Sequence, residues 1–229
     1  MIRGDINSKK LAIVFTGDEF GDGGAHILRV LKEKRIRASF FLTGNFYANK
    51  KFARLITDLK ASGHYMGAHS DKHLLYCDWT KRDTLLVTKK QFLGDLGANY
   101  SKMQSFGIMK SKARFFLPPY EWFNDSISSW TRSASLQLIN FTPGTRSNAD
   151  YTTPDMRAYR SSDEIFKSIV DYEKNTANGL NGFILLLHIG TDPKRTDKFY
   201  NRLGELTDLL KDKGYEPVTI DKLISDIIK

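Results

Sequence analysis

His69 and His73 stand four residues apart, and imidazoles at that spacing share one face if a helical turn starts there, so the pair can grip one metal ion. Asp18 supplies a carboxylate that completes an Asp, His, His set with open positions for water and substrate, the way catalytic divalent metals are held. Such a metal polarises a carbonyl and acidifies its water. His188 closes a late apolar run, and Pro118-Pro119-Tyr120 follows another. Of the five histidines in the chain, only His26 and His64 lie away from these positions, and both are expected to be structural or solvent-facing.

These residues need a scaffold that brings distant segments to one place. Short apolar runs at 11–16, 38–42, 64–69, 113–117, 136–141, 182–188 and 216–220 read as seven strands, and helical-period segments at 24–34, 49–61, 81–105, 124–133, 162–177 and 197–213 lie between them. This alternation predicts a parallel sheet with crossover helices, either a distorted barrel or a doubly wound sheet, and in both the chemistry gathers at the carboxyl ends of the strands. Asp18, His69, His73, Tyr120 and His188 all follow or end a predicted strand. No linker or repeat interrupts the series, so residues 1–229 read as one domain. The polar loop 142–160 is long enough to expect a functional role.

Composition narrows the class further. With 229 residues, 41% hydrophobic, 27% charged and one cysteine, the chain is neither disordered nor a disulfide scaffold. No apolar run approaches the roughly 18 residues of a membrane span, and MIRGDINSKK lacks the apolar region of a signal peptide. The net charge of +9 is scattered, apart from Lys32, Lys34, Arg35 and Arg37, and no zinc-finger, basic-zipper or RNP spacing occurs, so nucleic acid is not an expected partner.

The ordered segments FTGDE (15–19), SFFLTG (39–44), HSDKH (69–73), FLPPYE (116–121) and LLLH (185–188), with the ending GYEPVTIDKLI, resemble the polysaccharide deacetylases with a NodB-homology domain, carbohydrate esterase family four. The resemblance covers nearly the whole chain. It implies a distorted parallel (β/α) barrel of about seven strands and a metal-dependent deacetylase that removes N-acetyl or O-acetyl groups from a polysaccharide or oligosaccharide. It also implies a divalent metal on Asp18, His69 and His73, with zinc first and cobalt, nickel or manganese as alternatives. The backbone N–H of Tyr120 would stabilise the oxyanion, and His188 would protonate the leaving group. The family's envelope or extracellular substrates imply an extracytoplasmic site of action.

Two departures qualify that expectation. Counting back from Phe40-Phe41 puts Gly17 where the family has its catalytic-base aspartate, and Leu117 stands where an arginine orients that base; Arg114 is not in register to replace it. Substitute bases are Glu19, Asp22, Asp71, Asp150 or Asp155, with Glu19 favoured, and an aspartate restored at 17 is expected to raise activity. The alternative is a catalytically impaired homologue that binds metal and glycan without turnover. A hydrolase acting on another C–N bond is a third reading. Tyr76, Trp79, Tyr120, Trp122 and Phe123 are candidates for stacking on sugar rings, Tyr120 and Trp122 before the others, with Pro119 beside them. Arg146, in a stretch that takes the place of the family's fourth motif without matching it, is a further substrate-binding candidate. Cys77 is expected to be an inert thiol.

Overall fold

The computed structural model describes residues 1–225. Seven parallel strands form one curled sheet: β1 (Lys10–Gly17), β2 (Ser39–Leu42), β3 (Tyr65–Ala68), β4 (Phe115–Phe116), β5 (Gln137–Leu138), β6 (Ile184–His188) and β7 (Glu216–Pro217). Their order is β5-β4-β3-β2-β1-β6, with β7 pairing separately with the start of β1. This is the distorted (β/α) barrel the sequence predicts, with all seven strands where the apolar runs placed them.

Side-chain alternation along β1 explains the layering. Leu11, Ile13 and Phe15 face outward into the larger core, packed with the helices, while Ala12 and Val14 face inward with Phe41, Leu117, Ile139, Ile184 and Leu186. The outer layer is built from α1 (Gly24–Lys34), α2 (Gly44–Ala48), α3 (Ala53–Ala61), α4 (Lys89–Ser105), α5 (Asp125–Ser133), α6 (Ser162–Asn175) and α7 (Leu203–Asp212). A last helix, α8 (Ile220–Ser225), packs Ile220, Leu223 and Ile224 into the inner cluster, and the Ile220 N–H donates to Ser39 Oγ at 2.8 Å. It plugs the amino-terminal mouth of the barrel and leaves the carboxyl-terminal mouth for function.

β5 and β6 do not pair, and the chain's first residues fill the seam between them. The Met1 carbonyl accepts from Asn140 N–H at 2.8 Å, the Met1 ammonium donates to the Leu138 carbonyl at 2.9 Å, and Gly4 N–H donates to the Gly182 carbonyl at 2.6 Å.

One helix differs from its sequence reading. The segment expected as a helix over 81–105 is irregular until Thr88, where a capping box with Gln91 starts α4. Before it, Asp78 Oδ1 accepts from the backbone of Thr80 and Lys81, and Cys77 bridges Leu85, which commits the stretch to turns. α6 opens on a second capping box, Ser161 with Glu164. No helix among the described residues is long and apolar enough to cross a membrane.

Candidate active site

Strand register decides which side chains meet. Thr16 of β1 pairs with His188 of β6, so Asp18 and His188 arise on neighbouring strand ends. Ala68 pairs with Phe116, which sets His69 beside Leu117. A cavity of about 290 Å³ opens over these ends, lined by Asp18, Glu19, His69, His73, Tyr120, Glu121, Tyr151 and His188 among others.

His69 is buried, and its Nδ1 lies 2.7 Å from the Leu117 carbonyl. A carbonyl only accepts, so Nδ1 carries the proton and Nε2 is left with a free lone pair. Burial, helped by His73, holds its pKa well below the usual histidine range, against the Leu117 hydrogen bond. His73 is also lowered by burial, which outweighs the pull of Asp18. Both imidazoles are therefore neutral, the form that ligates metals.

The expected helical turn at 69–73 does not form. Ser70 and His73 instead adopt left-handed conformations, φ 74° and 53°, and the two rings sit 5.2 Å apart in a T-shaped arrangement. Asp95 of α4 holds this turn: its carboxylate accepts from Ser70 Oγ at 2.6 Å, Asp71 N–H at 3.0 Å, Lys72 N–H at 2.9 Å and Tyr76 O–H at 3.2 Å. Asp18 Oδ1 accepts from Thr43 Oγ1 at 2.7 Å and Asn45 Nδ2 at 3.1 Å, which fixes its carboxylate at the cavity wall. Among the described residues, no group of three His, Cys, Asp or Glu side chains is gathered tightly enough, as the side chains stand, to hold a metal ion.

At the neighbouring end of β6, Asp150 grips His188 twice, accepting from its Nδ1 at 2.6 Å and its backbone N–H at 2.8 Å. Burial works against the imidazolium, but the charge and hydrogen bond of Asp150, with Glu121 in support, raise the His188 pKa above the ordinary value. Asp150 lies in a short 3₁₀ turn (Ser147–Tyr151) inside the long polar loop, so that loop reaches the cavity histidine His188. Both its oxygens are taken up by His188, whereas the sequence reading had it only as a substitute base.

Gly17 presents no functional group, and a side chain there would have to displace its apolar neighbours. A Cβ there would stand 2.6 Å from Ile189 Cγ2 and 2.9 Å from Leu42 Cδ2, within the apolar layer. Leu117 is fully buried in the inner core. Of the substitute bases, Asp22 is occupied by Tyr200, Lys198 and the Thr191 N–H, Asp71 by Lys102 at 2.6 Å, and Asp155 by Thr153 and Lys194. Glu19 is exposed at the rim of the cavity. The sequence reading missed Glu121, a half-buried cavity carboxylate whose pKa burial pushes up to about 7, with His188 opposing and Asp150 adding. Its signal was available: a carboxylate directly after the Pro-Pro-Tyr turn.

The aromatic candidates divide. Trp79, Tyr120 and Tyr151 are all largely exposed; Tyr120 stands 4.4 Å from the His73 ring and 5.4 Å from Trp79, while Tyr151 stands 5.0 Å from His188. Trp122 is half-buried behind Trp79, with its Nε1 donating to the Asp78 carbonyl and Arg82 over its ring, and does not line the cavity. Pro119 is buried beneath Tyr120. Tyr76 is buried in the outer core, its hydroxyl spent on Asp95, so it offers no face to a sugar. Arg146 is exposed, its charge is felt by Glu164 at the start of α6, and it does not line the cavity. His26 lies beside Arg29 on α1, and His64 Nδ1 accepts the Ala38 N–H at 3.1 Å, both structural as expected.

The sequence model of the polysaccharide deacetylase family matches residues 5–139, more than half of the chain. No curated protein matches the sequence. Among solved structures, the Bc1960 peptidoglycan N-acetylglucosamine deacetylase superposes with a TM-score of 0.75 at 18% identity, over 98% of this chain and 92% of that one. BA3943, a carbohydrate esterase family 4 pseudoenzyme from Bacillus anthracis, gives 0.74 at 19%, over 97% and 68%. PdaA of Bacillus subtilis, a family 4 carbohydrate esterase, gives 0.71 at 21%, over 97% and 83%. At these identities the likeness establishes the shared fold.

Proposed function

Because the chain belongs to the polysaccharide deacetylase family, we propose that it is a metal-dependent carbohydrate deacetylase, hydrolysing N-acetyl or O-acetyl groups of a polysaccharide or oligosaccharide outside the cytoplasm. The observation that carries this reading is His188, held from behind by Asp150, lining the same cavity as Asp18, His69 and His73. A proton donor thus faces a set of potential ligands across a space that admits an acetyl group.

The donor chemistry fits a divalent metal, zinc foremost. His69 has its tautomer fixed by a backbone carbonyl, His73 is neutral, and Asp18 has its second oxygen free of hydrogen bonds among the described residues. When bound there, such an ion supplies Lewis-acid polarisation of the acetyl carbonyl. His188, protonated and oriented by Asp150, gives its Nε2 proton to the departing amine or alkoxide. Trp79, Tyr120 and Tyr151 offer flat faces on which sugar rings stack. Thr16 Oγ1, buried in the cavity floor without a partner among the described residues, is available to a polar group of the substrate.

The test is acetate release from acetylated chito-oligosaccharides and acetylated xylan by the chain loaded in turn with zinc, cobalt and nickel, with calorimetric titration of zinc into the native chain and His69→Ala. Metal-dependent release and zinc binding, both lost in the variant, are expected. The absence of release with every metal and substrate would overturn the reading in favour of a second one: a glycan-binding homologue without turnover. The apolar surroundings of Gly17 favour that second reading, because a side chain at position 17 would have to displace Ile189 and Leu42.

A further inference from the structure

A hydrolytic site of this kind needs a group to take the proton of the attacking water, and the geometry points to Glu121 as that general base, an inference that rests on the deacetylase reading. Tyr120 and Glu121 both adopt left-handed backbone conformations, φ 59° and 54°, which an ordinary residue holds only when its surroundings fix it. The backbone of Glu121 is clamped on both sides: its N–H donates to the Pro118 carbonyl at 3.1 Å, and its carbonyl accepts from Asn140 Nδ2 at 2.7 Å. This turn fixes the direction in which the side chain leaves, and the residue lines the same cavity as His188.

Glu121 is also distinguished by what it does not do. Asp18, Asp22, Asp71, Asp95, Asp150 and Asp155 each accept hydrogen bonds or pair with a cation, whereas the Glu121 carboxylate accepts none among the described residues. Glu19, the remaining rival, stands exposed at the rim. The groups facing Glu121 are His188 of β6, with Asp150, Tyr151 and Tyr120 around it. A carboxyl titrating near 7 is poised to take a proton at neutral pH, in keeping with the role the geometry gives it.

The step balances without a further reactant. A water O–H bond breaks and its proton passes to the Glu121 carboxylate, while the water oxygen bonds to the acetyl carbonyl carbon and the π pair moves to the carbonyl oxygen. Collapse of the tetrahedral adduct breaks the C–N or C–O bond as His188 protonates the departing nitrogen or oxygen. Acetic acid and the free amine or hydroxyl leave. Glu121 returns its proton to solvent and His188 regains one.

The experiment compares zinc-loaded native chain with Glu121→Gln, Glu121→Gly and Glu19→Gln on one acetylated oligosaccharide, with and without added formate. Glycine suits a left-handed position, so Glu121→Gly is expected to melt no lower than the native chain. Both Glu121 variants are expected to lose about 10²–10⁴-fold in kcat with KM little changed, formate is expected to restore part of the activity of Glu121→Gly, and Glu19→Gln is expected to lose far less than either. An active native chain with Glu121→Gln within twofold of it would overturn the assignment alone, as would a loss confined to Glu19→Gln or a loss in Glu121→Gly that formate does not relieve. A native chain that releases no acetate would overturn the deacetylase reading and this assignment with it.

Discussion

Asp150 takes both the ring and the backbone N–H of a histidine 38 residues further along the chain, and so fixes the tautomer, orientation and charge of His188 together. Asp150→Asn removes the charge that raises the His188 pKa, so His188 gives up its proton at lower pH. The basic limb of the kcat/KM profile is expected to move toward acid, with kcat reduced by up to the roughly 10²–10⁴-fold that a positioned acid contributes. A pH–rate series on the native chain and the variant checks this; an unmoved basic limb would remove His188 from the role of acid.

Gly17→Asp is expected to gain no activity, contrary to what the motif comparison suggests. The new side chain meets Ile189 and Leu42, and an overpacked site of this kind costs about 1–3 kcal/mol. Denaturant melts alongside acetate release check both halves. Higher activity with unchanged stability would show that the strand end relaxes to make room for a carboxylate.

Asp95 is the hub of the turn that carries His69 and His73, although it touches neither ring. Asp95→Ala leaves Ser70 Oγ, two backbone N–H groups and the Tyr76 hydroxyl without their acceptor. A loss of at least about 1–3 kcal/mol is expected, with zinc affinity down about 10–100-fold. Tyr76→Phe, which removes one of the four bonds, is expected to cost about 1 kcal/mol and to leave zinc affinity unchanged. Calorimetric titration of both variants separates positioning from stability.

His64 gives the fold an acid-sensitive point away from the cavity. Burial, with Arg37 adding, lowers its pKa to about 4 from an ordinary 6.5. The folded value is depressed, so the unfolded state binds the proton first. Stability is then complete above pH 6.5 and declines as the pH falls toward 4. The full span corresponds to about 3 kcal/mol. Urea midpoints measured from pH 7.5 to 4 are expected to fall less steeply in His64→Gln than in the native chain.

The strands were legible because apolar runs of four to eight residues between turn residues have few other uses, and the five motif segments followed from strand order. The helix boundary at Thr88 was also written in the sequence, as Thr-x-x-Gln, but apolar periodicity upstream masked it. α2 has only five residues, and its start depends on Thr43 accepting the Phe46 N–H, a signal too short for periodicity to register. Tyr76 and Arg146 show the limit for site residues. Sequence position brought both near motifs, whereas the direction of each side chain follows from packing that no spacing encodes. Glu121 follows the Pro-Pro-Tyr segment directly, but its place in the cavity depends on the left-handed backbone at 120–121, which no spacing encodes.

The seam between β5 and β6 has a kinetic side. β1 to β4 pair in an order that needs only successive neighbours, but the bonds from Met1 to Leu138 and from Gly4 to Gly182 join residues 137 and 178 positions apart. Contacts of such separation carry the largest loop-closure entropy and place a protein among slow folders. The bonds of the first four residues are therefore expected to be among the last to form, and substitutions at Gly4 or Gly182 to act on the rate of barrel closure as well as on the stability of the closed form.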